Sequence, residues 1–328
     1  MYVIKLLCEY FNFLIPYMNR FQVPQWVKSV FDTFPLTTYE ATPLGDQSDI
    51  EKRRFYFISD NPQKPPDHTF ILGVDGVIGV NQKIIPSTPV ALAHSLILCY
   101  KNGLKLPREN SNQKTSPHSI LSLSYLAASN NELPIIIETN ERTQVRNIIP
   151  KKGLLTSIVT NNNFEADIKA KLINNMVDSY IQDLWILALI CEPKARAEYE
   201  RIFNWNSGAR KSENMTFLHT LTVQGEIPEW NDFRTRNPNL FSSKTWNALA
   251  NQEALQNVYE DKLKQFDQEF SLLIEYATGQ DPLTKIIRFK LAALAILTTE
   301  LLPDTHLANI LQPNQDFLAQ CYTIIDEY

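Results

Sequence analysis

The residues best able to hold a metal or attack a substrate are the five histidines (68, 94, 118, 219 and 306) and the four cysteines (8, 99, 191 and 321). Their spacing argues against both roles. No two histidines stand at i and i+4, and no C-x-x-C pair exists, so no zinc-type ligand cluster forms along the chain. Scattered single thiols are the usage of reduced, buried cysteines in a cytosol-facing protein. Neither a metal nor a cofactor is expected. Gly73, Gly76 and Gly79 form G-x-x-G-x-x-G, which is not the dinucleotide fingerprint, and no G-x-x-x-x-G-K-[ST] loop is present. These glycines are expected to serve a tight turn or close packing. His94 stands among Ala91, Leu92, Leu96 and Ile97, the setting of a half-buried helix histidine. Glu51-Lys52-Arg53-Arg54 reads as a solvated charged face, with contact to lipid or a partner as the alternative.

Composition bounds what can position such residues. The chain has 328 residues, 44% hydrophobic and 20% charged, enough for a packed core in one large or two smaller domains. Nine glycines are too few for folds that thread phosphates through glycine turns. The net charge of −5 demands no nucleic acid. The charge is uneven: residues 1–160 carry 16 Lys/Arg against 13 Asp/Glu, the rest 15 against 23. A membrane span needs about 20 mostly apolar residues. The opening stretch MYVIKLLCEYFNFLIPYMNRF is interrupted by Lys5, Glu9 and Pro16, and lacks the layout of a signal peptide. The sequence therefore predicts no spanning helix, and any membrane association has to come from the surface or from a partner.

The coarse pattern divides the chain. Residues 42–68 read as a loop with a short strand somewhere in Glu51–Ile58, and Phe70–Val80 as a strand pair or a strand and its turn. STPVALAHSLILCYKNG (87–103) is a helix, with Ser87 or Thr88 as N-cap, Pro89 in the first turn and Gly103 as stop. Leu104–Pro107 is a strand candidate, 108–119 a polar loop and 119–128 a short helix. Leu133-Pro134-Ile135-Ile136-Ile137 reads as a strand opening at proline. It forms a hairpin with 143–149, and a helix begins in 151–159. From Phe164 the spacing turns helical and stays so, with segments at 194–206, 239–277, 283–300 and 304–326. Pro282 opens and Pro303 stops the third of these, while 207–238 reads as a surface loop.

A β-α-β unit followed by a β-hairpin and a helix, with a proline leading the third strand, is the thioredoxin plan. Pro134 is the candidate for a cis-proline there, and a trans proline at a strand start is the alternative. A thioredoxin-like unit followed by helices is the glutathione-transferase architecture. The expected fold class is therefore α/β plus all-α: an N-terminal arm (1–41), a thioredoxin-like domain (42–160) and an all-helical C-terminal domain (161–328).

Three blocks carry a family resemblance. Val27-Lys28-Ser29-Val30-Phe31-Asp32-Thr33-Phe34-Pro35-Leu36 resembles the opening segment of the small metaxin-like receptor subunits of the fungal mitochondrial outer-membrane sorting and assembly machinery. Cys99–Pro107 (CYKNGLKLP) and Glu132–Ile136 (ELPII) are similar to two further blocks, in matching order and spacing. The resemblance covers roughly residues 23–160, and the helical half agrees in layout only. It implies a glutathione-transferase-like fold without catalysis and a peripheral position on the cytosolic face of the outer membrane. The partners it implies are the membrane-embedded barrel subunit, a second metaxin-like subunit and β-barrel precursors. The implied task is to recognise the C-terminal sorting signal of those precursors and aid their insertion. Family members open shortly before V-P-x-x-V-K and Met18 stands six residues before Pro24, so residues 1–17 read as an extension or a misplaced start, with a short interfacial helix as the functional alternative.

Phe31, Asp32, Thr33, Phe34, Pro35 and Leu36 are the candidate partner-binding residues, an aromatic-rich segment suited to a partner's pocket. The alternative is that the two phenylalanines staple the arm onto its own core. The competing function is a working glutathione transferase or another cytosolic enzyme of that fold. Such an enzyme needs a Tyr, Ser or Cys by the first strand's end to stabilise a thiolate. Val80–Thr88 offers only Ser87 and Thr88, both expected to cap the next helix. Lys151-Lys152-Gly153 replaces the acid-capped serine of such enzymes, and a capping box at Thr284–Ile287 lacks its aspartate.

Overall fold

The computed structural model describes residues 47–59, 68–109, 115–124, 127–128, 132–151, 154, 168–196, 198–203, 230–241, 248–277 and 282–328. Residues 50–328 make one compact unit and residues 1–49 another. The first described element is a helix, α1 (Gln47–Lys52), inside the stretch expected to be loop. Two short strands follow, β1 (Arg54–Tyr56) and β2 (Ile58–Ser59), then β3 (His68–Val74), β4 (Val77–Val80) and β5 (Lys83–Pro86). Helix α2 (Pro89–Asn102) leads to β6 (Leu104–Lys105), β7 (Ser119–Ser122), β8 (Ile135–Asn140) and β9 (Arg146–Ile149).

Five of these strands form one sheet in the order β1-β7-β3-β8-β9. β3 is central, parallel to β7 and antiparallel to β8, and the β8–β9 hairpin closes the order at one edge. Asn140 shapes the hairpin turn: its side-chain oxygen accepts from the N–H groups of Arg142 and Thr143 at 3.0 and 3.1 Å. The pleat sorts side chains onto two faces. Phe55, Ile120, Phe70, Leu72, Val74, Ile136 and Ile149 lie on the face that joins the main core. Ile135 and Ile137 lie on the opposite face, in a small cluster with Ala128, Leu133 and Leu123. The Leu133–Pro134 bond at the head of β8 is cis.

The segment 119–128, expected to be helical, begins instead with strand β7. All four of its residues, Ser119-Ile120-Leu121-Ser122, are buried between β1 and β3. A four-residue run buried on both faces has no alternation to read, and periodicity alone does not separate it from a helix. Helix α2 follows expectation. Gly103 takes the left-handed conformation (φ 61°) and returns its N–H to the Cys99 carbonyl. All residues from Pro89 to Cys99 except Val90 are buried, so this helix is apolar nearly all round and runs through the interior.

The helical part opens with α3 (Ile168–Met176), a π-turn (Val177–Ile181) and α4 (Gln182–Cys191), continuous with one another. Short helices α5 (Pro193–Arg196) and α6 (Tyr199–Ile202) follow. Helix α7 (Trp230–Arg236) and a 3-10 turn (Pro238–Phe241) lie within the segment 207–238 and its margin, which was expected to be loop. Phe233 is fully buried, and Arg236 and Asn237 both reach the Asp183 carboxylate of α4, which is why this polar stretch folds. The long α8 (Ala248–Ala277) and α9 (Pro282–Leu301) come next, then α10 (His306–Leu311) and α11 (Gln315–Glu327). Thr305 caps α10, accepting from the Ala308 N–H at 3.2 Å.

Helix α9 packs against α2, α8, α10 and α11. Its run Leu291–Leu297 is buried throughout, and the sheet and helices share one continuous core. Lys83 of β5 ties the two parts from a buried position: its ammonium donates to the Ile325 and Asp326 carbonyls of α11 at 2.5 and 2.8 Å. No helix among the described residues is long and apolar enough to cross a membrane.

Candidate functional site

The candidate partner-binding segment Phe31–Leu36 lies outside the described residues, as do Cys8, His219, the Lys152-Gly153 pair and most of the helix expected at 151–159. The remaining candidates can be followed to their places. Ser87 and Thr88 do occupy the approach to α2, with Thr88 at the N-cap position, but neither side chain caps the helix. The Ser87 hydroxyl donates instead to the Ile202 carbonyl at the end of α6. Thr88 Oγ1 is buried without a partner. The reason is Gly76: a Cβ there would stand 2.8 Å from both the Ile202 oxygen and Ser87 Oγ. The missing side chain lets the Ile202 carbonyl approach closely enough to accept the serine hydroxyl's hydrogen bond. The Ser87 hydroxyl is thereby committed to the protein's own backbone. Close packing, rather than phosphate binding, explains this glycine of the G-x-x-G-x-x-G run.

The described cysteines are free thiols. Burial pushes the Cys321 thiol up to about 12 and the Cys99 thiol higher still, so neither supplies a thiolate near neutral pH. Among the described residues no group of three or more His, Cys, Asp or Glu is placed to hold a metal ion. Thr284 is buried inside the first turn of α9 rather than ahead of it, so it does not act as the N-cap of that helix.

A polar cluster forms between α2, the π-turn and α9. Lys290 of α9 is buried, and its ammonium meets Asn174 Oδ1 at 2.7 Å and the Asp178 carboxylate oxygens at 2.5 and 2.7 Å. Those three bonds use all three N–H groups of the ammonium. Burial lowers the Lys290 pKa, while Asp178 opposes the shift. His94 lies beside them in the same pocket, with Pro89, Val90 and Gln182 among the neighbouring walls. Its Nδ1 donates to the Val90 carbonyl at 2.7 Å, leaving Nε2 as a buried acceptor without a partner. Burial holds its pKa down to about 4, so the ring is neutral. The expectation of a half-buried histidine is thus exceeded, since His94 is only 6% exposed. The cluster neutralises its own charge, which lets a charged residue sit on a core helix. No sequence pattern points to it, because Asp178 and Lys290 stand 112 residues apart.

The other feature on offer is a surface. The sheet ends in β9, where Arg146, Asn147 and Ile148 are exposed. Val145, just before it, is exposed as well.

Residues 21–138 match the family model described as SAM35, subunit of SAM complex. The Sorting assembly machinery 35 kDa subunit of Saccharomyces cerevisiae is 29% identical over 184 residues, 53% of this chain and 54% of that protein. The match thus spans about half the length of the curated relative. All three blocks that carried the resemblance, 27–36, 99–107 and 132–136, fall inside the matched segment. Residues 21–138 are thus similar to the SAM35 subunits, in agreement with the metaxin-like reading of those blocks.

Proposed function

We propose that this protein is a peripheral, non-catalytic subunit of the machinery that assembles β-barrel proteins in the mitochondrial outer membrane. In this reading it sits on the cytosolic face, held by the membrane-embedded barrel subunit beside a second metaxin-like subunit. Its task is to recognise the C-terminal sorting signal of β-barrel precursors and to aid their insertion. The observation that carries the proposal is the SAM35 match over residues 21–138, which contains the FDTFPL and KNG-L-x-LP blocks. The proposal includes a glutathione-transferase-like division into an arm (1–41), a thioredoxin-like domain (42–160) and a helical domain (161–328). The strand order around β3 and the proline heading β8 support that division. The inward-turned Ser87 hydroxyl and the buried Thr88 speak against retained transferase chemistry.

The direct test is recovery of the tagged protein from mildly solubilised mitochondria. The expected result is co-recovery of the outer-membrane barrel subunit and a second glutathione-transferase-like chain. Recovery of the protein alone from the cytosolic fraction would overturn the proposal.

A further inference from the structure

The two edges of the main sheet differ in character. At β1 the outer residues are tied down: Arg54 and Tyr56 both reach the Glu51 carboxylate of α1, at 3.2 and 3.0 Å, and the Arg54 guanidinium lies over the Tyr56 ring. At β9 the strand is exposed over Arg146, Asn147 and Ile148, with Ile148 57% and the preceding Val145 62% accessible. Branched apolar side chains beside an open ladder are what edge strands ordinarily avoid.

The ladder fixes which backbone groups face outward. The Asn140 N–H bonds to the Val145 carbonyl at 3.0 Å, which makes 140/145 a hydrogen-bonded pair. Alternation along an antiparallel pair makes 138/147 and 136/149 the next bonded pairs. Arg146 and Ile148 therefore turn their N–H and C=O groups away from β8, toward an edge that no other described strand pairs with.

The side chains select the strand that would fit. Ile148 stands opposite Ile137, and Ile137 opposite Ile71, so three isoleucines form a row across β9, β8 and β3. Thr69, Thr139 and Arg146 form the neighbouring row on the same face. A strand added at β9 continues this pleat. It gains most from apolar residues beside Ile148 and along the aliphatic stem of Arg146, and from a polar residue beside exposed Asn147 on the other face. At about 3.3 Å per residue the four-residue edge is about 13 Å long. Pairing over so short a length falls far below the roughly 1,600 Å² of a stable interface. The edge therefore suits transient capture of an extended segment better than lasting association with a second copy of the chain.

We infer that the free edge of β9 is a docking site for an extended amphipathic strand of another protein, which joins the sheet through the backbone groups of Arg146 and Ile148 and extends the Ile71–Ile137–Ile148 row by contact with Ile148. The inference rests on the recognition role proposed above for the source of that strand, and it names the surface that receives it.

The test uses the full chain and a synthetic peptide of alternating apolar and polar residues, with a scrambled peptide of the same composition as control. On binding, amide exchange at Arg146 and Ile148 is expected to slow at least tenfold, with no change for the scrambled peptide. Ile148→Pro removes an outward N–H without touching the β8 ladder, and proline is tolerated on such an edge. It is expected to weaken binding about tenfold or more, with its thermal unfolding checked in parallel. If the alternating peptide binds but protects another segment, the edge inference fails while the recognition role survives. If neither the peptide nor a crosslinkable precursor segment engages the chain, both fail. Sedimentation showing a dimer abolished by Ile148→Pro would also overturn the inference, since a second copy would then occupy the edge.

Discussion

His94 and His118 are both buried, and each commits one ring nitrogen to the backbone in the opposite sense. His94 Nδ1 donates to the Val90 carbonyl, whereas His118 Nδ1 accepts from the Phe70 N–H at 3.1 Å while its ring stacks on Phe70. Burial holds both pKa values down to about 4. The unfolded chain, titrating near 6.5, binds more protons between those two values, so stability is full above the window and falls as pH drops through it. The loss approaches about 3 kcal/mol for each histidine by pH 4. Thermal melts of the full chain at pH 7, 5.5 and 4.5 should show this decline. His94→Leu, which removes one of the two contributions, should lower the pH dependence of the melting temperature. The position of His94 on an apolar helix face was legible in the sequence, because helix spacing is local. The neutral ring and its orphaned Nε2 were not, because α9 and the π-turn supply the burial.

At the scale of elements, two glycines separate local from tertiary causes. Gly103 ends α2 in the left-handed conformation with open space around it, and Gly103→Ala should cost about 1 kcal/mol of backbone strain. Gly76 is held against the α6 carbonyls, so Gly76→Ala has to push backbone apart and should cost more, within the roughly 1–3 kcal/mol of an overpacked site. Chemical denaturation of both variants checks the order. Helix α7 depends on a distant anchor in the same way. Asp183 is nearly inaccessible, and its carboxylate takes Arg236, Asn237 and, at 3.7 Å, Lys262. Asp183→Ala leaves two cations facing a gap from which they can still reach water, so the expected loss is near the lower end for a broken buried pair, about 3 kcal/mol. Limited proteolysis within 230–241 should rise in that variant. Residues 87–103 announced their helix through Pro89 and Gly103. Residues 230–236 announced nothing, because the charge that fixes them lies on α4.

At the scale of the whole molecule, the proposed role turns on the arm as much as on the compact unit. If Phe31 and Phe34 anchor the protein in a partner's pocket, the double variant Phe31→Ala/Phe34→Ala should lose the barrel subunit from the recovered complex, at least fivefold. Its melting temperature should stay unchanged. Equal recovery with a lowered melting temperature would instead assign the two rings to the protein's own core. Removing buried aromatics costs about 3–5 kcal/mol, which thermal unfolding resolves easily. The two outcomes therefore separate cleanly.

The sequence by itself determined the local grammar of this protein: a helix within 87–103 stopped at Gly103, a hairpin of the strand after Pro134 with the strand in 143–149, the helical run of the second half, and the three blocks that carry its likeness to SAM35 subunits. Each is written within a few residues, where spacing, proline and glycine act directly. Only the tertiary structure decided that Ser119–Ser122 is a buried strand, that Ser87 serves α6 rather than α2, that Lys290 can be buried opposite Asp178, and that β9 leaves an edge open beside a row of isoleucines. These depend on which distant elements meet. Burial on both faces, desolvation and the register of a sheet arise from the assembled core, and no stretch of chain carries them alone.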